Sequence, residues 1–365
     1  MAYRVIQWGT GNVGKHALRH IVERPDFELV GLRVYNPDKV GKDAGDVLGV
    51  RSTGIIATDD RDEILSLEAD CVSYNPLGGT LEAGETALDD ICALLASGKN
   101  VVSSAVEQMA YLLPDLALAG VGDRAYDRLS EACDQGQTTF FHVGINPGYT
   151  MDFWPLQLSR LSRRIDRIYV AEILSMADYP SEHMMRDAMG FARPPAPDNP
   201  VDAWMSRTHD TPFYLCMRMI ADSLGVELDD VRYGGREVAL AEKPFEIAIG
   251  TVEVGTVAAM KFHLEGIVKG RVAIHLEWVW RLTDDVAHDW PKGEGLWILD
   301  IAGDPHIKSK IQTATTFDSR RPVSLLVSTT CLNAIPTVCS AKPGLLNNLR
   351  LPAHGGGYLC SPASA

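Results

Sequence analysis

No stretch of this 365-residue chain strings apolar residues together for the roughly 18–20 positions that a bilayer-crossing helix needs. Met1 also runs straight into a strand-like pattern instead of a signal-peptide core. A soluble, cytoplasmic protein is expected. Concentrated positive charge is missing as well: Lys and Arg number 34 against 48 Asp and Glu, for a net charge of -14, with no block of five or six basic residues. Nucleic acids and anionic membranes demand a positive footprint, so neither is expected as a partner. The seven cysteines, at 71, 92, 133, 216, 331, 339 and 360, form no C-x-x-C pair, and no H-E-x-x-H occurs. Reduced, mostly buried thiols and no metal centre are the corresponding expectations. With 46% hydrophobic and 22% charged residues, disordered and disulfide-scaffold classes drop out. At roughly 100–200 residues per domain, the length allows two domains or one large one.

What is present begins at the N-terminus. Tyr3 to Trp8 is a β-branched and aromatic run, followed at once by Gly9-Thr10-Gly11-Asn12-Val13-Gly14. Val13, Ala17 and Ile21 then recur every four residues up to Pro25, and Phe27 to Tyr35 reads as a second strand. The glycines therefore sit between strand and helix of a β-α-β unit. Gly9 permits the tight turn, Gly11 lets the backbone approach a pyrophosphate, and Gly14 lets the helix pack against the strand. The free N–H groups of the helix start then face the phosphates. A dinucleotide is expected on Gly9, Thr10, Gly11, Asn12, Val13 and Gly14. NAD-binding sheets usually carry an acidic residue about 20 positions after the glycines. Here Tyr35 and Asn36 stand there, Asp38 comes late, and Arg33, Lys39 and Lys42 are close by. Tyr35, Asn36 and Lys39 become the ribose-side candidates, and NADP is favoured over NAD, with use of NAD left open.

The alternation continues with strands at 54–58, 70–75, 100–103 and 138–143 and helices at 61–67, 81–97 and 122–135. Such a series implies a doubly wound parallel sheet. Its ligands bind beyond the carboxyl ends of the strands, which selects loops 75–79, 103–107 and 144–148. Asn75, Pro76, Ser103 and Ser104 are the further cofactor candidates, and Ile145 and Asn146 the first substrate candidates.

Near residue 150 the period changes. Residues 148–163 read as a linking helix and 165–176 as a strand opening a new sheet. Residues 179–211, punctuated by prolines, read as a lid or insertion. Seven of the eleven methionines (Met176, Met184, Met185, Met189, Met205, Met217 and Met219) fall in or beside it and either line an adaptable apolar pocket or form helical core. Residues 252–282 alternate about a Lys269-Gly270 turn, a hairpin signal. Met260, Phe262, Leu264 and Gly266 share one face, as do Leu276, Trp278 and Trp280. Lys261, His263 and Glu265, with His275 and Glu277, take the other. Residues 296–302 give another strand. The fold class expected is α/β: an N-terminal doubly wound parallel sheet over 1–148, then an α+β domain with a mostly antiparallel sheet over 149–318. The apolar helix from 319 returns to the first domain through about 345. Tyr169, Met176 and His263 complete the substrate-pocket candidates, and the tail from Pro352 reads as flexible.

Four segments in order carry a likeness: Gly9 to Gly14, Lys39-Val40-Gly41-Lys42-Asp43-Ala44-Gly45, Val102-Ser103-Ser104-Ala105-Val106-Glu107, and Val143-Gly144-Ile145-Asn146-Pro147-Gly148-Tyr149. Together they resemble the dihydrodipicolinate reductase-like superfamily, and within it the branch of 2,4-diaminopentanoate dehydrogenases and native NAD(P)H-dependent amine dehydrogenases. The resemblance implies a Rossmann domain, a homodimer, and reductive amination of a ketone or aldehyde with ammonia. It maps the active-site glutamate to Glu107. The His-His-x-x-Lys segment of true dihydrodipicolinate reductases is absent, Ser181 to Arg186 lacking its second His and its Lys. A carboxylate at a strand's carboxyl end in an apolar pocket is expected to have its pKa raised by desolvation, which suits a proton carrier. Carbonyl reduction without amination, and dinucleotide sensing without catalysis, are the competing readings.

Overall fold

Apolar strands buried on both faces alternate with helices in the first part of the chain. The computed structural model describes residues 2–76, 81–114, 124–293, 295–313, 322–352 and 354–357, without the side chains of 81–83 and 322. Parts of the loops and helices expected at 77–79, 122–123 and 319–321, and Cys360 with most of the tail, lie outside these residues. The first elements are β1 (Tyr3–Trp8), α1 (Asn12–Glu23), β2 (Phe27–Arg33), α2 (Ala44–Leu48), β3 (Ala57–Thr58), α3 (Arg61–Ser66), β4 (Cys71–Tyr74), α4 (Leu81–Ala96), β5 (Asn100–Ser103), α5 (Ala125–Gly136) and β6 (Thr139–His142). Six parallel strands stand in the order β6-β5-β4-β1-β2-β3. On one side, Val5, Val102 and Phe141 pack with Ala17 and Ile21 of α1. On that same side, nearer β3, Leu32 and Val34 pack with Leu18 of α1, Ala44 and Ala57.

Strand β3 is shorter than expected because residues 54–56 turn to the segment before α2. Ala44 N donates to Ile55 O and Ala57 N to Lys42 O, both at 2.8 Å. Asp43 closes this brace: its carboxylate accepts from Gly45 N (2.6 Å), Gly54 N (2.7 Å), Thr53 N and Ser52 Oγ (both 2.9 Å). These bonds, Thr53 N–H foremost, hold its carboxyl well below the usual range.

From residue 149 the elements are α6 (Phe153–Ser159), β7 (Arg164–Ser175), α7 (Pro200–Met205), α8 (Pro212–Leu224), β8 (Asp230–Leu240), β9 (Phe245–Ile247), β10 (Gly250–Val252), β11 (Val257–Val268), β12 (Arg271–Arg281), β13 (Leu296–Asp304) and β14 (Ile307–Gln312). The linking helix shrinks to α6, which starts late because Asp152 caps it, accepting from Phe153 N at 2.5 Å. Six strands in the order β14-β13-β7-β12-β11-β8 form a sheet that is antiparallel except at β7–β12. Helix α8 covers one face, where the rings of Phe213 and Trp278 lie 4.3 Å apart. Met185, Met205, Met217 and Met219 are fully buried and Met176 is 8% exposed. These five are core, whereas Met184 is 37% exposed and Met189 half-buried.

The chain ends with α9 (Pro322–Ser340) and β15 (Gly344–Leu346), which adds a seventh parallel strand beside β6. Contrary to the opening expectation, Val323–Ser340 is long and apolar enough to cross a membrane, with a mean hydropathy of 1.4. Cys331, Leu332, Ala334, Ile335 and Val338 instead join the core beside Val5 and Phe141. The chain divides into two compact units, Met1–Gly148 with Ser324–Ala365, and Tyr149–Val323.

Candidate functional site

In the first unit, backbone hydrogen bonds carry the carboxyl ends of the strands into step. Gly9 N donates to Arg33 O, Asn75 N to Trp8 O and Val143 N to Ser103 O, each at 2.9 Å, and Ser104 N donates to Tyr74 O at 3.2 Å. The glycine loop, Asn75, Ser103, Ser104 and the loop after β6 thus gather at one end of the sheet. Gly9 has φ +93°, and a Cβ there would meet Asn75 O at 3.1 Å. At Gly11 a Cβ would meet nothing within 4 Å. The first turn of α1 holds no acidic residue, so its N–H groups and Gly11 present an open, positively polarised cradle that fits a pyrophosphate.

Gln7, which the sequence reading missed, ties this loop together. Fully buried, it donates through Nε2 to Gly9 O (2.8 Å) and Asn75 Oδ1 (3.0 Å). Asn75 in turn accepts from Ser73 Oγ and donates to Ser104 Oγ, both at 2.8 Å. A polar residue inside the apolar run before the glycines was the available signal.

On the ribose side, Lys39 Nζ reaches Thr10 O (3.1 Å) and Thr10 Oγ1 (3.0 Å). Arg33 turns away, its guanidinium 5.0 Å from the Tyr35 ring centre and bonded to Val34 O. Tyr35 accepts from Trp8 Nε1 at 2.8 Å while 52% exposed. Asn36 caps its own turn, accepting from Asp38 N. Lys39 is therefore the member of the basic cluster that the fold brings to the loop.

Beyond β5, Ser103 Oγ accepts from Ala105 N at 3.0 Å. Val106 follows with φ +64° and ψ 79°, a left-handed conformation that a β-branched residue adopts only under strain, at about 1–3 kcal/mol. It launches the single turn Glu107–Tyr111, in which Met109, Ala110 and Tyr111 are buried and Glu107 is exposed. The apolar burial expected around Glu107 is thus not found; the strained turn holds it at the surface instead. Behind it, His142 pairs across from Ser103 in the sheet. Burial pushes its pKa down to about 3, so it stays neutral. Ile145 is buried and Asn146 half-buried in the loop after β6.

In the second unit the expected pocket residues separate. Tyr169 and His263 flank His275, with ring centres 5.3 and 4.7 Å from it, and Tyr169 Oη donates to Glu277 Oε1 at 2.7 Å. Met176, in even register with Glu172 and Leu174, falls on the opposite, buried side, because strand side chains alternate. Tyr169, Met176 and His263 therefore do not line one pocket. Glu172 was missed. Only 4% exposed, it accepts from Trp297 Nε1 (3.0 Å) and Trp280 Nε1 (3.5 Å). An acid in the apolar register Ile168, Val170, Glu172, Leu174 was its signal.

Residues 149–356 match the family of 2,4-diaminopentanoate dehydrogenase C-terminal domains. An amine dehydrogenase of Streptomyces virginiae is 32% identical over 360 residues, covering 95% of each chain. The 2,4-diaminopentanoate dehydrogenase of Acetoanaerobium sticklandii is 22% identical over 96% of this chain and 93% of its own. The solved structure of an amine dehydrogenase from Mycobacterium smegmatis superposes with a TM-score of 0.76, at 19% identity over 97% of both chains.

Proposed function

Because the chain belongs to the family of amine and 2,4-diaminopentanoate dehydrogenases, nicotinamide-dependent oxidoreductases acting on CH–NH2 donors, we propose that it reductively aminates small, fairly apolar ketones or aldehydes with ammonia. The reverse direction is oxidative deamination of the corresponding amines. NADP is the preferred cofactor, and the enzyme works as a homodimer in the cytoplasm.

The observation that carries this reading is Glu107 on its strained turn, at the same strand ends as the glycine loop. The backbone of Gly9 to Gly14 and the start of α1 would hold the pyrophosphate, with Lys39 and Tyr35 on the ribose side. When bound, the cofactor supplies the hydride. Glu107 takes a proton from ammonium, freeing ammonia to add to the carbonyl carbon. It returns that proton to the carbinolamine hydroxyl, which leaves as water, and the iminium carbon is then ready for reduction. Asn146 orients the carbonyl through its side-chain amide.

NADPH consumption on a panel of ketones and aldehydes, with and without ammonium, tests this. Ammonium-dependent turnover is expected. Turnover indifferent to ammonium would make the protein a carbonyl reductase, and cofactor binding without turnover would make it a sensor. For cofactor choice, Lys39→Ala is expected to raise the KM for NADPH about tenfold, the loss of one charge-assisted phosphate contact of about 1.4 kcal/mol, and to leave that for NADH nearly unchanged. Equal rises for both would reduce Lys39 to a brace of the Thr10 loop.

A further inference from the structure

On the face of the six-stranded sheet opposite α8, two histidines and two glutamates form a block. Antiparallel pairing sets Glu265 across from His275 and His263 across from Glu277, and alternation turns all four side chains to one side. His263 Nε2 and His275 Nδ1 each lie 3.9 Å from Glu265 Oε1. One ligand atom from each of these three residues lies within 4.8 Å of the other two. All three side chains are half-buried, between 18% and 29% exposed. Two imidazoles and a carboxylate are the donor set of zinc sites that keep a fourth position open. We propose that His263, Glu265 and His275 bind one divalent transition-metal ion, with zinc the best match, at a site on this sheet of the second unit.

The surroundings are those such a site needs. His275 Nε2 is buried without a hydrogen-bond partner among the described residues and stands 3.9 Å from Glu277 Oε2. Glu277 is itself fixed by the Tyr169 hydroxyl at 2.7 Å. A carboxylate behind a ligating imidazole sets its tautomer, here freeing Nδ1 to face Glu265. Of the cations on the same face, Lys261 is engaged with Glu237 at 3.0 Å, and Arg232, which pairs across from Glu265, with Asp230 at 2.8 Å.

Gly234 makes room for the ligand ring. A Cβ there would lie 1.8 Å from His263 Nε2 but only 2.4 Å from both Cδ2 and Cε1, and so over the ring face and not along the in-plane lone pair. Without an ion the two imidazoles lie nearly parallel, 12° apart. Tetrahedral zinc with bonds of about 2.0–2.1 Å sets ligand atoms about 3.3 Å apart. Rotation of the rings and of the Glu265 side chain closes that gap without moving the strands. The expectation of no metal centre drew on motifs within one segment, whereas these donors come from two paired strands. The other close pair, His16 and His20 on α1, four residues apart, gains no third metal-ligating side chain among the described residues.

The full chain, stripped with a chelator, is titrated with Zn2+ by calorimetry and with Co2+ by visible absorption. One ion per chain is expected, with Co2+ developing the ligand-field bands of a nitrogen and oxygen site. Glu265→Gln and His275→Phe should weaken binding at least about 100-fold, and Glu277→Gln about 10–100-fold, while His306→Ala changes nothing. Circular dichroism shows that each variant folds, and the near-isosteric glutamine variants keep the test alive if His275→Phe does not. Absence of binding to the parent chain, or binding that Glu265→Gln and Glu277→Gln leave intact, overturns the proposal. Neither result touches ammonium-dependent turnover.

Discussion

Glu107→Gln should lower ammonium-dependent turnover by about 10²- to 10⁴-fold, the contribution of a positioned proton carrier, while NADPH still binds. The amide keeps the size and hydrogen-bonding reach of the side chain but cannot shuttle the proton from ammonium to the departing water. Because Glu107 is exposed, stability should change by no more than about 0.5 kcal/mol. Steady-state kinetics, NADPH fluorescence titration and thermal unfolding separate these effects. Val106→Gly provides an independent handle on the same site. Glycine accepts φ +64° freely, relieving about 1–3 kcal/mol of strain. Val106 is only 5% exposed, so losing its buried side chain, worth about 1.5–3 kcal/mol, offsets the relieved strain; the variant should gain no stability and should turn over more slowly, since the turn no longer fixes the carboxylate. A Glu107→Gln protein retaining most of its turnover would remove Glu107 from the mechanism.

The sequence spoke most clearly where side-chain type and spacing alone decide the outcome. The glycines between β1 and α1 are of this kind, and so is the hairpin of β11 and β12. Met260, Phe262, Leu264, Leu276 and Trp278 are fully buried, while His263, Glu265, His275 and Glu277 remain half-buried on the other face. What escaped depended on partners distant in sequence or on backbone handedness. Nothing about valine announces a left-handed φ, so the exposure of Glu107 was hidden behind Val106. Asp43 belonged to a motif useful for the family resemblance, yet its work is to gather residues 52–54. In α9, small polar residues break up the apolar run. Ser328 and Thr329 donate to Leu325 O and Thr330 to Val327 O, each at 2.8 Å, so their hydroxyls are satisfied within the helix and the segment behaves as apolar. The His263, Glu265 and His275 cluster required the strand register itself.

Gly14→Ala and Gly11→Ala should fail in opposite ways, although both change the same loop. A Cβ on Gly14 would lie 2.2 Å from Gly9 O and 2.7 Å from Gly9 C. Those are backbone atoms, and Gln7 Nε2, which donates to Gly9 O at 2.8 Å, itself lies 3.1 Å from the added Cβ, so the clash cannot be relieved by a flexible side chain alone. Helix α1 must shift off β1, and overpacking of this kind costs about 1–3 kcal/mol. Because the shift also displaces Gly9, Gly14→Ala should lose thermal stability and cofactor binding together. Gly11 already has φ -74°, which alanine adopts without strain, and open space where the methyl group would go. Gly11→Ala should therefore unfold like the parent chain. Its methyl group would occupy the space in which the backbone meets the pyrophosphate, and the Kd for NADPH should rise about tenfold or more. Thermal unfolding without cofactor, set beside NADPH titration, distinguishes the two. If Gly11→Ala bound NADPH as tightly as the parent, the pyrophosphate could not lie against Gly11, and the placement of the dinucleotide over the start of α1 would be wrong.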